Sequence, residues 1–187
     1  MSNSKKTSNK KPKVWTILCL LFIIVIAVLL RSVVVYKFFP LSHEELINKY
    51  SEEYNVDKHL VCSVIKAESS FDETALSAPG AMGLMQIMPD TGTWAAQKIG
   101  IEDFKTSMLY EPNTNIRIGC WYLNHLSAMF DGDPKKVLAA YNAGPSRVKE
   151  WTDSDGVLRE IRFEETENYI EKIERNYEIY KSLYKDF

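Results

Sequence analysis

Glu68 is the residue in this chain best placed to exchange a proton. It lies four residues after Val64 and three after Ile65, on the stripe that Leu60, Val61, Val64 and Ile65 mark along one helix face. A carboxylic acid at the end of an apolar stripe loses hydration when it ionises. Its pKa therefore moves toward neutrality, as a general acid for a glycosidic oxygen requires. A lone glutamate at a helix end is more often a solvated residue or a cap, so the surrounding sequence must carry the claim. Three segments surround it: Glu68-Ser-Ser-Phe-Asp-Glu-Thr-Ala-Leu-Ser77-Ala-Pro-Gly-Ala-Met-Gly83-Leu-Met-Gln86-Ile-Met-Pro89, then Ala140-Tyr-Asn-Ala-Gly144, then Phe163-Glu-Glu-Thr166-Glu-Asn-Tyr169.

The elements that must position these segments are helical. Ser42-His-Glu-Glu45 reads as a capping box opening a helix to about Tyr54, and Asp57 as the cap of the helix that ends in Glu68. From Ser69 to Thr93 the pattern dissolves around Pro79, Gly80, Gly83, Pro89 and Gly92, a loop of short turns. Helices are predicted over 93 to 98, stopped by Gly100; from Pro112 to about Phe130; over 135 to 142, capped by Asp133 and stopped by Gly144 and Pro145; and from about Glu165 to Tyr184. The last carries Tyr169, Ile170, Ile173, Tyr177, Tyr180 and Tyr184 at helical spacing. No strand pattern and no internal repeat is visible, so the fold class is mainly α.

The 187 residues suffice for one globular domain once an anchor is subtracted. Residues 14 to 30 carry no charge and reach roughly 25 Å as a helix, and snorkelling of Arg31 and Lys37 extends that reach. No small-residue cleavage pattern follows, so the run reads as a single transmembrane anchor with its juxtamembrane segment, residues 14 to 39, and not as a removed signal peptide. Lys5, Lys6, Lys10, Lys11 and Lys13 precede it in a basic tail, residues 1 to 13. The positive-inside rule keeps that tail in the cytoplasm and places residues 40 to 187 outside a cell membrane crossed once. The formal charge of −2 hides this asymmetry: the body beyond the tail is acidic and offers phosphate backbones no basic face, so no nucleic-acid partner is expected. An exported domain permits a Cys62–Cys120 disulfide, but both residues sit in apolar helix patterns that equally suit buried thiols.

Taken together, the three segments resemble the lytic transglycosylases of glycoside hydrolase family 23, whose catalytic domain is similar to goose-type lysozyme. The resemblance covers most of residues 43 to 184 and leaves the anchor outside it. It implies a lysozyme-like helical domain and assigns roles position by position. Glu68 in Glu68-Ser69 is implied as the catalytic acid/base, and Ser77 matches the serine before the glycine-rich turn. Met85 and Gln86 of Gly83-Leu-Met-Gln86 are implied to line the sugar groove. Tyr141 is implied to orient the glutamate and the reacting sugar, with Asn142 beside it among the substrate contacts, and Glu165 of Glu165-Thr166 is implied to bind substrate. The sequence departs from the family at Arg162, where proline is frequent, and at Glu167, where arginine is frequent. Each position also has a bland reading: Met82, Met85 and Met88 as core filler, Tyr141 as a packed aromatic, Asp72 and Glu73 as caps or solvated acids.

The implied partner is the glycan strand of peptidoglycan, cut at the β-1,4 bond between N-acetylmuramic acid and N-acetylglucosamine with 1,6-anhydro-muramoyl ends; proteins of an envelope machinery are further possible partners. One strong carboxylate, where most glycosidases need two, favours a reaction that recruits the sugar's own groups. A hydrolytic muramidase would need Asp72 or Glu165 to position a water. A cysteine peptidase would use Cys62, His125 and Asn142, although no activating neighbour stands beside Cys62. A non-catalytic glycan binder is the third alternative. His43, His59 and His125 show no metal-ligand spacing and no phosphate loop is present, so no cofactor is implied.

Overall fold

The computed structural model describes residues 14 to 185 and 187, and the basic tail expected over residues 1 to 13 lies outside them. Two compact units divide the chain, residues 1 to 40 and 41 to 187. The first unit contains α1, Val14–Phe38, 25 residues long and with a mean hydropathy of 3.1 over its most apolar window. At about 1.5 Å per residue it is long and apolar enough to cross a membrane. Its Leu, Ile and Phe side chains are exposed within the unit, which leaves them for a nonpolar surrounding.

The second unit is mainly helical, and its described residues form isolated β-bridges but no strand. Helix α2, Glu44–Glu53, does not begin with the expected capping box: His43 occupies the N-cap in a left-handed conformation (φ 61°), with no side-chain cap. Glu44 and Glu45 complement the helix dipole there. The His43 ring is drawn instead to Glu73, 3.1 Å away. Helix α3, Lys58–Glu68, starts where its sequence says, with the Asp57 carboxylate accepting from the His59 and Leu60 amides.

Helix α4 runs Pro89–Ile99, four residues longer at its start than expected, because Pro89 sits at the first helical position, where its missing N–H costs nothing. Gly100 ends it in the left-handed region. A 3₁₀ turn, Thr106–Tyr110, leads into α5, Pro112–Met129. Asp133 caps α6, Pro134–Ala143, through the Lys135 and Lys136 amides. Pro145 is not simply a stop: it opens a short helix α7, Pro145–Trp151, that the sequence reading lacked. Helix α8, Glu164–Leu183, completes the unit.

The core lies where α8 packs along α3 and α6, and where α5 packs on α2 and α6. Val61, Val64, Ile65, Ile116, Leu123, Ile173 and Tyr180 fill it with almost no exposed surface. Stacking α8 on α3 brings residues a hundred positions apart to the same helix end. That end is where Glu68 stands.

Candidate active site

Glu68 is the last residue of α3, and the Tyr169 hydroxyl, from the first turns of α8, donates to its Oε1 at 2.7 Å. Next to it, Lys172 Nζ donates to the Ala67 carbonyl at 2.6 Å, which satisfies an end carbonyl of α3. Burial pushes the Glu68 carboxyl up to about 7 from an ordinary 4.5, against smaller downward pulls from the Tyr169 hydrogen bond and the Lys172 charge. Near pH 7 the group is thus shared between its acid and carboxylate forms, the condition in which one side chain can give a proton and take one back.

The Tyr169 hydrogen bond favours the charged form, so its loss should raise the Glu68 pKa further. Because a general acid works only while protonated, Tyr169→Phe is expected to move the alkaline fall of the pH–rate profile upward by about one pH unit. A limb that stays in place would show that Glu68 is not the acid governing it.

The loop after α3 is built to hold a turn against this carboxyl. Ser69 Oγ donates to the Leu84 carbonyl (2.8 Å) and accepts from the Phe71 amide (3.1 Å), pinning the end of α3 to the turn. Gly83 has φ 74°, and a Cβ there would collide with the Leu109 carbonyl and the Asn115 side chain. Asn115, fully buried on α5, binds three main-chain groups: it accepts from the Met85 amide (2.8 Å) and donates to the Met82 (2.9 Å) and Leu109 (2.7 Å) carbonyls. Gln86 is held in a left-handed conformation (φ 48°) while its Nε2 donates to the Ala75 and Gly83 carbonyls. Tyr141, from α6, donates to the Met85 carbonyl at 2.9 Å. Its hydroxyl is pushed far up, first by burial and then by the neighbouring Glu68 charge, so it stays a neutral donor.

Beside Tyr141 opens a cleft of about 230 Å³ lined by Gln86, Ile87, Met88, Thr91, Tyr122, Tyr141, Asn142, Ala143 and Gly144. Asn142 Oδ1 accepts from Thr166 Oγ1 at 2.8 Å, so α8 anchors this wall as well as Glu68. A wider groove on α2 and α3, lined by Glu52, Asp57, Lys58 and others, contains none of the expected site residues.

Gln86, Tyr141 and Asn142 therefore meet at one cleft, with Glu68 acting on Tyr141 from the end of α3. Three other expected positions fall elsewhere. The Met85 side chain is fully buried against Gly119 and does not line the groove; only its backbone serves the site, and Met88, expected as core filler, is the exposed methionine at the cleft. Ser77 closes its own turn by accepting from the Ala81 amide at 2.8 Å. Glu165 is exposed in the first turn of α8, and its neighbour Thr166 makes the inward contact. Tyr169 and Asn115 were not expected at the site. Tyr169 stood within the quoted third segment but was read there only for its helical spacing; nothing local marks Asn115.

The rival chemistries lose their parts. Cys62 is buried, and burial pushes its thiol up to about 12, so it has no thiolate near pH 7. His125 stacks on Trp121 instead, with ring centroids 5.3 Å apart. Cys62 and Cys120 are free, buried thiols. Prolonged treatment of the folded chain with iodoacetamide should leave its activity intact, and loss of activity through a modified Cys62 would restore the peptidase reading. Asp72 is exposed and held in a local turn by the Thr74 amide and hydroxyl, at 2.8 and 2.7 Å.

Comparison with known proteins agrees with this architecture. The soluble lytic murein transglycosylase of Salmonella typhimurium is 33% identical over 157 residues, which cover 80% of this chain and 24% of that protein. The membrane-bound lytic murein transglycosylase C of Haemophilus influenzae is 32% identical over 120 residues, 59% of this chain and 33% of that protein. The crystal structure of an inactive Glu-to-Gln mutant of lytic transglycosylase Slt from Pseudomonas aeruginosa superposes with a TM-score of 0.71 at 32% identity, covering 77% of this chain and 24% of that one. The chain thus spans about a quarter of the length of the soluble relatives it matches. With residues 45 to 163 matching the family described as the transglycosylase SLT domain, on a mainly helical lysozyme-like fold, the chain belongs to that family.

Proposed function

We propose that this protein is a peptidoglycan lytic transglycosylase in which Glu68 serves as both general acid and general base. The observation that carries the reading is the carboxyl itself: desolvated at the end of α3, held by one tyrosine hydroxyl, and tuned to about 7. Glu68 protonates the glycosidic oxygen between N-acetylmuramic acid and N-acetylglucosamine as the C1–O bond breaks, and the N-acetyl carbonyl oxygen supports the electron-poor C1. The resulting carboxylate removes the proton of the muramoyl 6-hydroxyl. O6 then closes on C1 as a 1,6-anhydro ring, and Glu68 is protonated again for the next cycle. No water is consumed, so no second carboxylate is needed.

The relatives' names support this substrate class, and an inactive relative that differs by one Glu-to-Gln change fits a reaction resting on one glutamate. Tyr169 keeps the carboxylate oriented, Tyr141 fixes the turn carrying Gln86, and Asn142 and Gln86 supply amide groups suited to sugar hydroxyl and acetamido groups. Glu165 and Ser77 remain candidates for contacts at the ends of a long strand.

The same reading extends to place. With the lysines of residues 1 to 13 in the cytoplasm and α1 as a single-pass anchor, the domain from residue 40 onward works on the outer side of the cell membrane, close to its surface. A membrane-bound relative supports anchoring as a mode of action for such domains. Digesting purified peptidoglycan with the full chain in detergent and weighing the released muropeptides tests the reaction. Anhydro-muramoyl ends are expected; reducing ends alone would mean hydrolysis, and no release would mean a binder.

A further inference from the structure

The aromatic wall of the cleft continues beyond it. The Tyr141 and Tyr122 rings lie 5.5 Å apart, and Tyr122 meets Trp94 edge-on at 6.3 Å. Trp94 in turn meets Trp121 at 4.9 Å and His125 at 5.0 Å, and His125 lies flat on Trp121 with an interplanar angle of 16°. The placement follows from helix geometry. Trp94 stands one turn after Thr91 on α4 and His125 one turn after Tyr122 on α5, and both Thr91 and Tyr122 line the cleft. Trp94, Trp121, Tyr122 and His125 are all half-buried, while Ala95 and Ala96 beside them provide the fully buried contact of α4. Two indoles and an imidazole kept partly open to solvent exceed what joining two helices requires, and the chemistry at Glu68 uses none of them.

We infer that this shelf is a further carbohydrate subsite, taking one N-acetylhexosamine ring of the same glycan strand beyond those held in the cleft. The inference rests on the glycan reading above. A pyranose presents a face of C–H groups, and the electron-rich faces of indole and phenol rings complement it. Continuity with the cleft selects this occupant: a strand leaving Tyr141 along Tyr122 reaches Trp94 and Trp121 next. A peptide stem, with its carboxylates and amines, would call for charged partners, and the run Tyr122, Trp94, Trp121 contains none.

The test uses the full-length Glu68→Gln chain in detergent, which binds without turnover, uniformly labelled with ¹⁵N so that indole and amide signals are both read. The four tryptophans give four indole signals, assigned by single Trp→Phe variants. Chitobiose and chitohexaose are the probes. The hexamer is expected to shift the Trp94 and Trp121 signals and leave Trp151 still. Trp94→Ala or Trp121→Ala should weaken the hexamer about tenfold or more while sparing the dimer. The indole shifts report on the unmutated rings, so the outcome does not depend on those variants folding. If the hexamer shifts the Gln86 and Asn142 amides while both indoles stay still, the shelf is not a subsite although the cleft binds glycan. If nothing shifts, the glycan reading fails and the shelf fails with it.

Discussion

Glu68→Gln is expected to lower muropeptide release at least about 1,000-fold and, at the same time, to make the protein more stable at alkaline pH. The first effect follows from removing the carboxyl that protonates the leaving oxygen in the proposed reaction; general acid–base contributions of about 10²–10⁴ are typical, and in that reaction one residue performs both steps. The second follows from linkage. The folded carboxyl holds its proton up to about 7, whereas an unfolded glutamate releases it near 4.5. The unfolded state therefore gains more from ionisation as pH rises, and the penalty on folding grows between pH 4.5 and 7 and stays constant above. The neutral amide escapes it, and its oxygen can still accept from the Tyr169 hydroxyl. A gain of about 2–3 kcal/mol at pH 8 is expected, vanishing by about pH 4. Parallel melting curves of the two proteins at pH 8 and pH 4 check this. Equal stability at both would mean that the carboxyl is not desolvated, and retained activity would remove Glu68 from the chemistry.

The second large effect is expected at a residue that touches no substrate. Asn115→Ala leaves the Met85 amide and the Met82 and Leu109 carbonyls without their partner inside the protein. Each buried orphan costs roughly 1–3 kcal/mol, so a loss of about 3 kcal/mol after relaxation is expected, a fall of roughly 10 °C in Tm. Activity should fall further than stability explains, by about 100-fold at a temperature where the variant is still folded. The reason is geometric: the turn that Asn115 holds carries both Gln86 and the carbonyl that receives Tyr141. An unchanged melting temperature would show that water replaces the amide and that the turn is held by Gly83 and Ser69 alone.

These two residues also mark the limits of what the chain discloses as a sequence. The place of Glu68 at the end of a buried stripe was legible because a helix stripe and a cap at Asp57 are local signals, while its chemical role rested on the motifs around it; the same local chemistry places Gly100 and Asp133 at their helix ends. Prolines were legible only in part. Pro145 follows Gly144 and Pro89 ends a loop of short turns, and a proline serves equally as the stop after one helix and as the first residue of the next; spacing alone does not choose. Asn115 left no trace because a buried amide on a helix looks in sequence like any polar residue, and its three partners lie in a loop 30 or so positions earlier and in the turn just before α5. Tyr169 shows the converse. Its helical spacing along α8 was visible in the sequence, but the hydrogen bond to Glu68 spans 101 residues and exists only once α8 packs on α3. Met85 divides the two kinds of reading: the resemblance put it in the groove, whereas the reading of the methionines as core filler fits its side chain, which turns into the core against Gly119 while the backbone serves the site.

The site is thus assembled at a helix packing seam. Helix α3 brings the acid, α8 brings the hydroxyl that steadies it, α5 holds the turn, and α6 supplies Tyr141 and Asn142. The burial that pushes the Glu68 proton affinity up comes from the same packing that forms the core, so the tuning of this carboxyl and a local cost in stability have one origin.

That coupling is measured most directly at the carboxyl itself. In a ¹³C-glutamate-labelled chain, the side-chain carbonyl signal present in the wild type and absent from Glu68→Gln belongs to Glu68, and its shift can be followed from pH 4 to pH 9. A midpoint near 7, moving upward in Tyr169→Phe, is the predicted result. A midpoint near the ordinary 4.5 would contradict the account, because a carboxyl already ionised at neutral pH could not donate the proton on which the proposed reaction depends.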